Sequence, residues 1–246
     1  MRISKAWIVA TKDIKVFLRK RYTTYSMIVL PILISIGLPF VLHLVVSRQG
    51  AILDTQHLTG LMNAFAFFFA IGASLIPTLL ASYSLVGEKV EKSLEPLLGA
   101  PITDSELLLG KGIGAFIPST ASLYIGAIVF MVLSDLFTHS ALGYYYFPNW
   151  TIGIILLILL PFMSILSVEW SVIVSARATD PRAAQLQGVL IAIPLFVIYV
   201  ATEVGAIKLN TTTIWIISGA AFIVDIILFF LSTKTFQREE ILTKWT

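Results

Sequence analysis

The stretch from Gly87 to Lys111 holds the densest run of groups able to do chemistry, with Glu88, Glu91, Glu95, Asp104 and Glu106 among Lys89, Lys92 and Lys111. Phosphate binding is the first chemistry to test there, because Ser105-Glu106-Leu107-Leu108-Leu109-Gly110-Lys111-Gly112 contains a Gly-Lys pair. As a phosphate loop it fails. The first glycine is missing, and Gly112 stands where Ser or Thr would hold magnesium. Gly110-Lys111-Gly112-Ile113-Gly114 is no dinucleotide fingerprint either, since no strand precedes it. The chain has no Gly-x-Ser-x-Gly, no His-Glu-x-x-His and no paired Asp motif. His43, His57 and His139 lack ligand spacing, and the absence of cysteine excludes thiol catalysis, disulfides and thiolate-bound metal. No catalytic, cofactor or metal site is therefore expected in this chain.

A second kind of chemistry attaches to one residue. Asp225 stands near the middle of an apolar run, where an ionisable side chain costs about 2.5–3.5 kcal/mol to insert into lipid. It shares a helical face with Ser218, Ala221 and Ser232, so it is expected to point at protein. There it would either meet a substrate or a proton, or lock helices together. Glu169 and Glu203 lie close to span ends, where interfacial solvation accounts for them.

The elements that must carry these residues are membrane helices. The chain has 246 residues, of which 57% are hydrophobic and 13% charged, against roughly 25% charge in an average soluble domain; its mean hydropathy is +0.91. Apolar spans run at 22–46, 61–87, 112–134, 151–174, 185–203 and 214–233. The last split rests on the polar break from Ala176 to Arg182. Helix is required because backbone groups in lipid must pair within their own segment. Six spans of ~20 residues leave no room for a large domain outside the bilayer. The expected architecture is all-α: one transmembrane domain over 1–246, with an interfacial helix at 1–21, a six-helix bundle at 22–233 and a tail at 234–246.

The interfacial helix is read from residues 3–21, where Ile3, Trp7, Ala10, Ile14, Phe17 and Leu18 share a face that Lys5, Lys12, Lys15 and Arg19 avoid. Of 17 Lys and Arg residues, all but Arg48 and Lys208 fall on one side of this topology. The excess marks the cytoplasmic side, with both termini inside. That sorting, and not nucleic-acid binding, accounts for the net charge of +3. Tyr144, Tyr145, Tyr146 and Trp150 suit an outer aromatic belt, and Trp7 and Trp245 an inner one. Asn149 and Asn210 open Asn-x-Thr sequons in outer segments.

Pro31, Pro39, Pro77, Pro118, Pro161 and Pro194 lie within spans, where each removes a backbone hydrogen bond. Small residues recur at helical spacing: Ala66, Ala70, Ala73; Ala115, Ser119, Ser122, Gly126; Ser164, Ser167, Ser171, Ser175. Close helix packing is their first reading, because van der Waals fit drives association in lipid; pathway lining is the second.

The charged stretch is organised. Leu94, Leu97 and Leu98 form an i, i+3, i+4 patch on a helix extending the second span, and Gly99 and Pro101 stop it. Thr103 with Glu106 reads as a capping box. A new short helix is expected from there, presenting Leu107, Leu108 and Leu109 to the cytoplasm before Gly110, Gly112 and Gly114 loosen the entry to the third span. Leucines exposed among charges suggest either a docking surface or a patch folded back onto the bilayer or onto residues 3–21.

The order Glu88, Ser93-Leu94-Glu95, Leu97-Leu98, Pro101, Glu106 and Gly110-Lys111 resembles the signature loop of ABC-2 type transporter permeases, the membrane subunits of ABC exporters. The basic first helix is similar to that family's elbow helix, Ala184-Gln185 to Pro194 to its fifth span, and Phe236 to Leu242 to its tail. Lys92-Ser93 departs from the Gly-Thr of many members. The resemblance implies a type V (ABC-2) exporter-like fold. It makes 88–111 a coupling segment, with Glu88, Leu94, Glu95, Leu97, Leu98, Pro101, Thr103 and Glu106 docking on an ABC ATPase subunit that carries ATP and Mg. It further implies a second permease subunit, identical or related, in the lipid of the plasma membrane. The cargo would be a drug, lipid, glycan, peptide or ion moving outward, with Asp225 a candidate pathway residue. Two other classes stay open: a proton- or ion-coupled secondary transporter working through Asp225, and a polytopic enzyme acting on lipid.

Overall fold

Long apolar runs bounded by charge fold here as helices with their hydrogen bonds closed internally. In the computed structural model, residues 3–49, 55–90, 102–178 and 180–235 are described, and every regular element among them is helical. Among the described residues, six helices are long and apolar enough to cross a membrane: Met27–Arg48, Thr55–Ser82, Asp104–Leu142, Trp150–Ser175, Arg182–Glu203 and Thr211–Ser232. They are the first to sixth spans in chain order, and the end of the bundle holding Arg19, Arg21 and Lys111 is its basic end.

An N-terminal helix, Ile3–Arg19, precedes them and joins the helix of the first span, Arg21–Gln49, through Lys20 alone. The joint is held by Thr24, whose hydroxyl donates to the carbonyls of Phe17 and Leu18 at 3.2 Å each. Those carbonyls have no intrahelical partner at a helix C-terminus, which is why a hydroxyl is useful there.

The second span is the axis of the bundle. Of its most apolar window 78% is buried, against 22% for the first and fifth spans. Its chief neighbour is the fourth span, and their interface is a ladder of hydroxyls. Ser167 donates to the Ser74 carbonyl at 2.8 Å, and its Oγ lies 2.7 Å from Thr78 Oγ1. Ser171 donates to Thr78 at 3.2 Å and Ser175 to the Ser82 carbonyl at 2.9 Å. The serine stripe on the fourth span is thus a packing face, as its spacing suggests. The fifth span closes against the same place, because a Cβ on Gly188 would collide with the Thr78 methyl. Ala66, Ala70 and Ala73 are likewise fully buried. Gly126 of the third span lets Pro31 of the first approach to where an added Cβ would sit 3.1 Å away.

The prolines act unequally. Helix runs unbroken through Pro31, Pro39, Pro77 and Pro118. Ahead of Pro161 the fourth span changes to a π-helix over Ile155–Leu159, and ahead of Pro194 a 3₁₀ turn occupies Leu190–Ala192. In the π register the Leu160 N–H bonds the Ile155 carbonyl. The Leu156 carbonyl would then look to residue 161, a proline with no N–H. Tyr124 of the third span supplies the missing donor, its hydroxyl lying 2.9 Å from that oxygen.

At the end opposite the basic one, Asp135 accepts the backbone N–H groups of Tyr146 and Phe147 at 3.0 and 3.1 Å. Tyr146 is turned inward, with Asn63 Nδ2 donating to its hydroxyl at 2.7 Å, whereas Tyr144, Tyr145 and Trp150 are exposed as an aromatic belt requires. Burial raises the Tyr146 phenol above its ordinary pKa. Asn149 is the N-cap of the fourth span and also donates to Asn63 at 3.3 Å. Asn210 caps the sixth span and is exposed.

Candidate functional site

The third span begins where local sequence says it should. Thr103 is the N-cap, accepting from the Glu106 N–H at 3.3 Å while the Glu106 carboxylate accepts from the Thr103 N–H at 3.1 Å. Beyond the cap, the short helix with exposed leucines that the sequence suggests is not formed. One helix runs without interruption from Asp104 to Leu142; Leu107 is fully buried, and Leu108 and Leu109 are partly so. Nor do the glycines loosen it. Gly110 and Gly114, one turn apart, form the face on which the N-terminal helix rests. A Cβ on Gly110 would lie 2.6 Å from Val9 Cβ and 2.7 Å from the Ala6 carbonyl, and one on Gly114 would lie 3.1 Å from Asp13 Cβ. Only glycine lets the two backbones approach so closely.

Between those glycines, Lys111 meets Asp13 at 3.4 Å, with 1% of the lysine side chain and 7% of the aspartate side chain exposed. Sequence reasoning did not single out this pair. Asp13 is the one acidic residue in a helix of basic ones, and its spacing from Ala6, Val9 and Ala10 was the available signal. The apolar face expected for this helix therefore divides. Ala10 and Phe17 join Ala6, Val9 and Asp13 against the third span, while Ile3, Trp7 and Leu18 are exposed, the arrangement a helix needs between protein and lipid.

Beside this junction, the third, fourth and sixth spans line a half-open cavity of about 500 Å³. Its walls include Leu108, Leu109 and Phe116 from the third span, Val168 and Glu169 from the fourth, and Phe229 and Ser232 from the sixth. Glu169, expected to be solvated near a span end, stands in this wall partly exposed, with its Oε2 buried and without a hydrogen-bond partner. Asp225 lies one turn from Phe229 and two from Ser232 on the same face, 7% exposed, with neither carboxyl oxygen bonded. Ser218 and Ala221 are buried alongside it, as the helical face predicts.

Over most of its length the chain fits a family model described as ABC-2 family transporter protein, which matches residues 7–241. The chain belongs to the ABC-2 transporter permeases. A comparison with curated proteins finds no match. The permease is thus a multi-pass membrane protein and a transport subunit. Of its sequence-derived docking residues, Thr103 and Glu106 form the capping box, and Glu88 lies in the helix Thr55–Val90 that prolongs the second span beyond Ser82. Leu94, Glu95, Leu97, Leu98 and Pro101 lie outside the described residues, as do Trp245 and the tail from Phe236.

Proposed function

We propose that this permease is the membrane half of an ATP-driven exporter whose ATPase is a separate subunit. In this reading the basic end faces the cytoplasm, segment 88–111 seats on the ATPase, and two permease subunits, identical or related, enclose the pathway in the plasma membrane. ATP and Mg²⁺ sit on the partner, consistent with the broken phosphate loop at Ser105–Gly112. Asp225 belongs to the pathway.

The observation that carries the reading is the junction of Asp13 and Lys111 over Gly110 and Gly114. The segment expected to take the push ends in the first turns of a continuous helix, which is bonded to the N-terminal helix about two turns from its start. A shift of the segment would then move the N-terminal helix and the third span together. Packed interfaces with discrete arrangements transmit motion in this way. The experiment replaces Leu94, Leu97 and Leu98 by Asp and measures co-purification with the cognate ATPase and ATP-dependent substrate movement in proteoliposomes. Loss of both is expected. Retained co-purification assigns docking elsewhere, and movement without ATP or the second protein removes the ABC reading in favour of a secondary transporter.

A further inference from the structure

We infer that the cavity between the third, fourth and sixth spans is a binding site for a lipophilic monocation, whose apolar body fills the cavity and whose positive charge is taken by Glu169. The inference rests on the reading of the chain as a permease, and names the class of ligand that reading leaves open. Three observations carry it.

The first is size and place. A volume of about 500 Å³ falls within the roughly 300–1,000 Å³ of small-molecule sites. The wall residues run from Ser105 to Phe116 along the third span, so the cavity reaches roughly 16 Å inward from the basic end at 1.5 Å per residue. The second is the chemistry of the wall. Leu108, Leu109, Ile113, Phe116, Val172 and Phe229 make it apolar, and two of them are aromatic rings whose faces attract a cation.

The third is charge without an answer. Glu169 is the ionisable residue among those lining the cavity, and its Oε2 is buried with no partner. Asp225, one turn beyond Phe229 on the same helical face, adds a second carboxyl with both oxygens unbonded. Among the described residues, no Lys, Arg or His lines the cavity. A carboxylate in an apolar wall is costly unless it takes up a proton or something positive meets it. An inorganic cation would need several oxygen ligands around it, which this wall does not offer. An organic cation needs one anionic partner and apolar surroundings, and finds both.

The experiment uses the full chain, purified into lipid nanodiscs without ATPase or nucleotide, and radiolabelled tetraphenylphosphonium, with binding to empty nanodiscs subtracted. Saturable binding is expected. Glu169→Gln should weaken it about thirtyfold or more, the usual scale for removing one partner of a buried charge pair, and Glu169→Asp should restore part of it. Gly112→Phe should abolish it, because a Cβ on Gly112 meets only Val168 Cγ1, at 3.4 Å, and a ring there projects into the cavity. Tetraphenylborate has the same shape and opposite charge, and should not compete.

Equal competition by tetraphenylborate, or unchanged affinity in Glu169→Gln, would show an apolar pocket filled by any greasy body, acyl chains included, and overturn the inference. So would an absence of saturable binding in the unmodified protein, or unchanged binding in Gly112→Phe. Each variant's thermal unfolding is followed alongside, so that a misfolded protein is not scored as a lost site. Binding with no ATP-driven movement would count against the exporter reading and leave the site standing. Coupled transport of other cargo without tetraphenylphosphonium binding would do the reverse.

Discussion

Replacing Lys111 by Met removes one partner of a buried ion pair and leaves Asp13 facing a side chain that cannot answer it. At 3.4 Å the gross attraction is about 5 kcal/mol for an effective dielectric constant of about 20. Desolvation of both groups offsets much of that, so the pair itself contributes little net stability. Breaking one side is another matter, because the survivor stays buried and loses its partner across the junction, at a cost of up to about 3–5 kcal/mol. Asp13→Leu should lose a similar amount. The double variant Asp13→Leu, Lys111→Met removes both charges and should recover to within about 1 kcal/mol of the original protein. The four proteins form a double-mutant cycle, measured by equilibrium unfolding in mixed micelles, with coupling energy as the readout. If the double variant is as unstable as the two single losses added together, the two residues act independently and their ion pair is not what joins the N-terminal helix to the third span.

Gly110→Ala places a methyl against the Ala6 carbonyl and Val9, so the N-terminal helix should lift; a loss of about 1–3 kcal/mol and faster proteolysis of residues 3–19 are expected. Thr78→Val removes the hydroxyl shared by Ser167 and Ser171 and should cost only about 0.6 kcal/mol per bond, so the two-span interface should survive with a slightly lower unfolding midpoint. Tyr124→Phe strips the donor from the Leu156 carbonyl and should destabilise by about 1–3 kcal/mol, with faster amide exchange near the π-helix as the confirming signature.

The spans were legible because hydropathy is a property of each segment taken alone. The expected 214–233 and the observed Thr211–Ser232 differ by a turn at most. The cap at Thr103 was legible for the same reason, its two bonds being made within four residues. Asp225 could be placed on a buried face because its neighbours on that face are small. What escaped the sequence depends on distant partners. Gly110 reads as a break until Val9 is known to lie across it, and Leu107 reads as exposed until the N-terminal helix and the bundle cover it. The serine stripe from Ser164 to Ser175 was visible, while the partners of its last three members, the Ser74 and Ser82 carbonyls and the Thr78 hydroxyl, spaced four residues apart, drew no notice. The place of Glu169 in the cavity wall was not legible, because depth counted along one span says nothing about which neighbours stand around it.

The wide turn at Ile155–Leu159 also sets a phase. A π-helical turn takes up about one residue more than an α-helical one, and each residue of α-helix is worth about 100° of rotation. Everything from Leu160 onward is therefore rotated relative to the segment that starts at Trp150. A chain one residue shorter here would form an ordinary α-turn, and Ser167, Ser171 and Ser175 would swing away from the second span by about a quarter of a revolution. The length of this one turn is what aims the fourth span, with its serines toward the axis of the bundle and Glu169 toward the cavity.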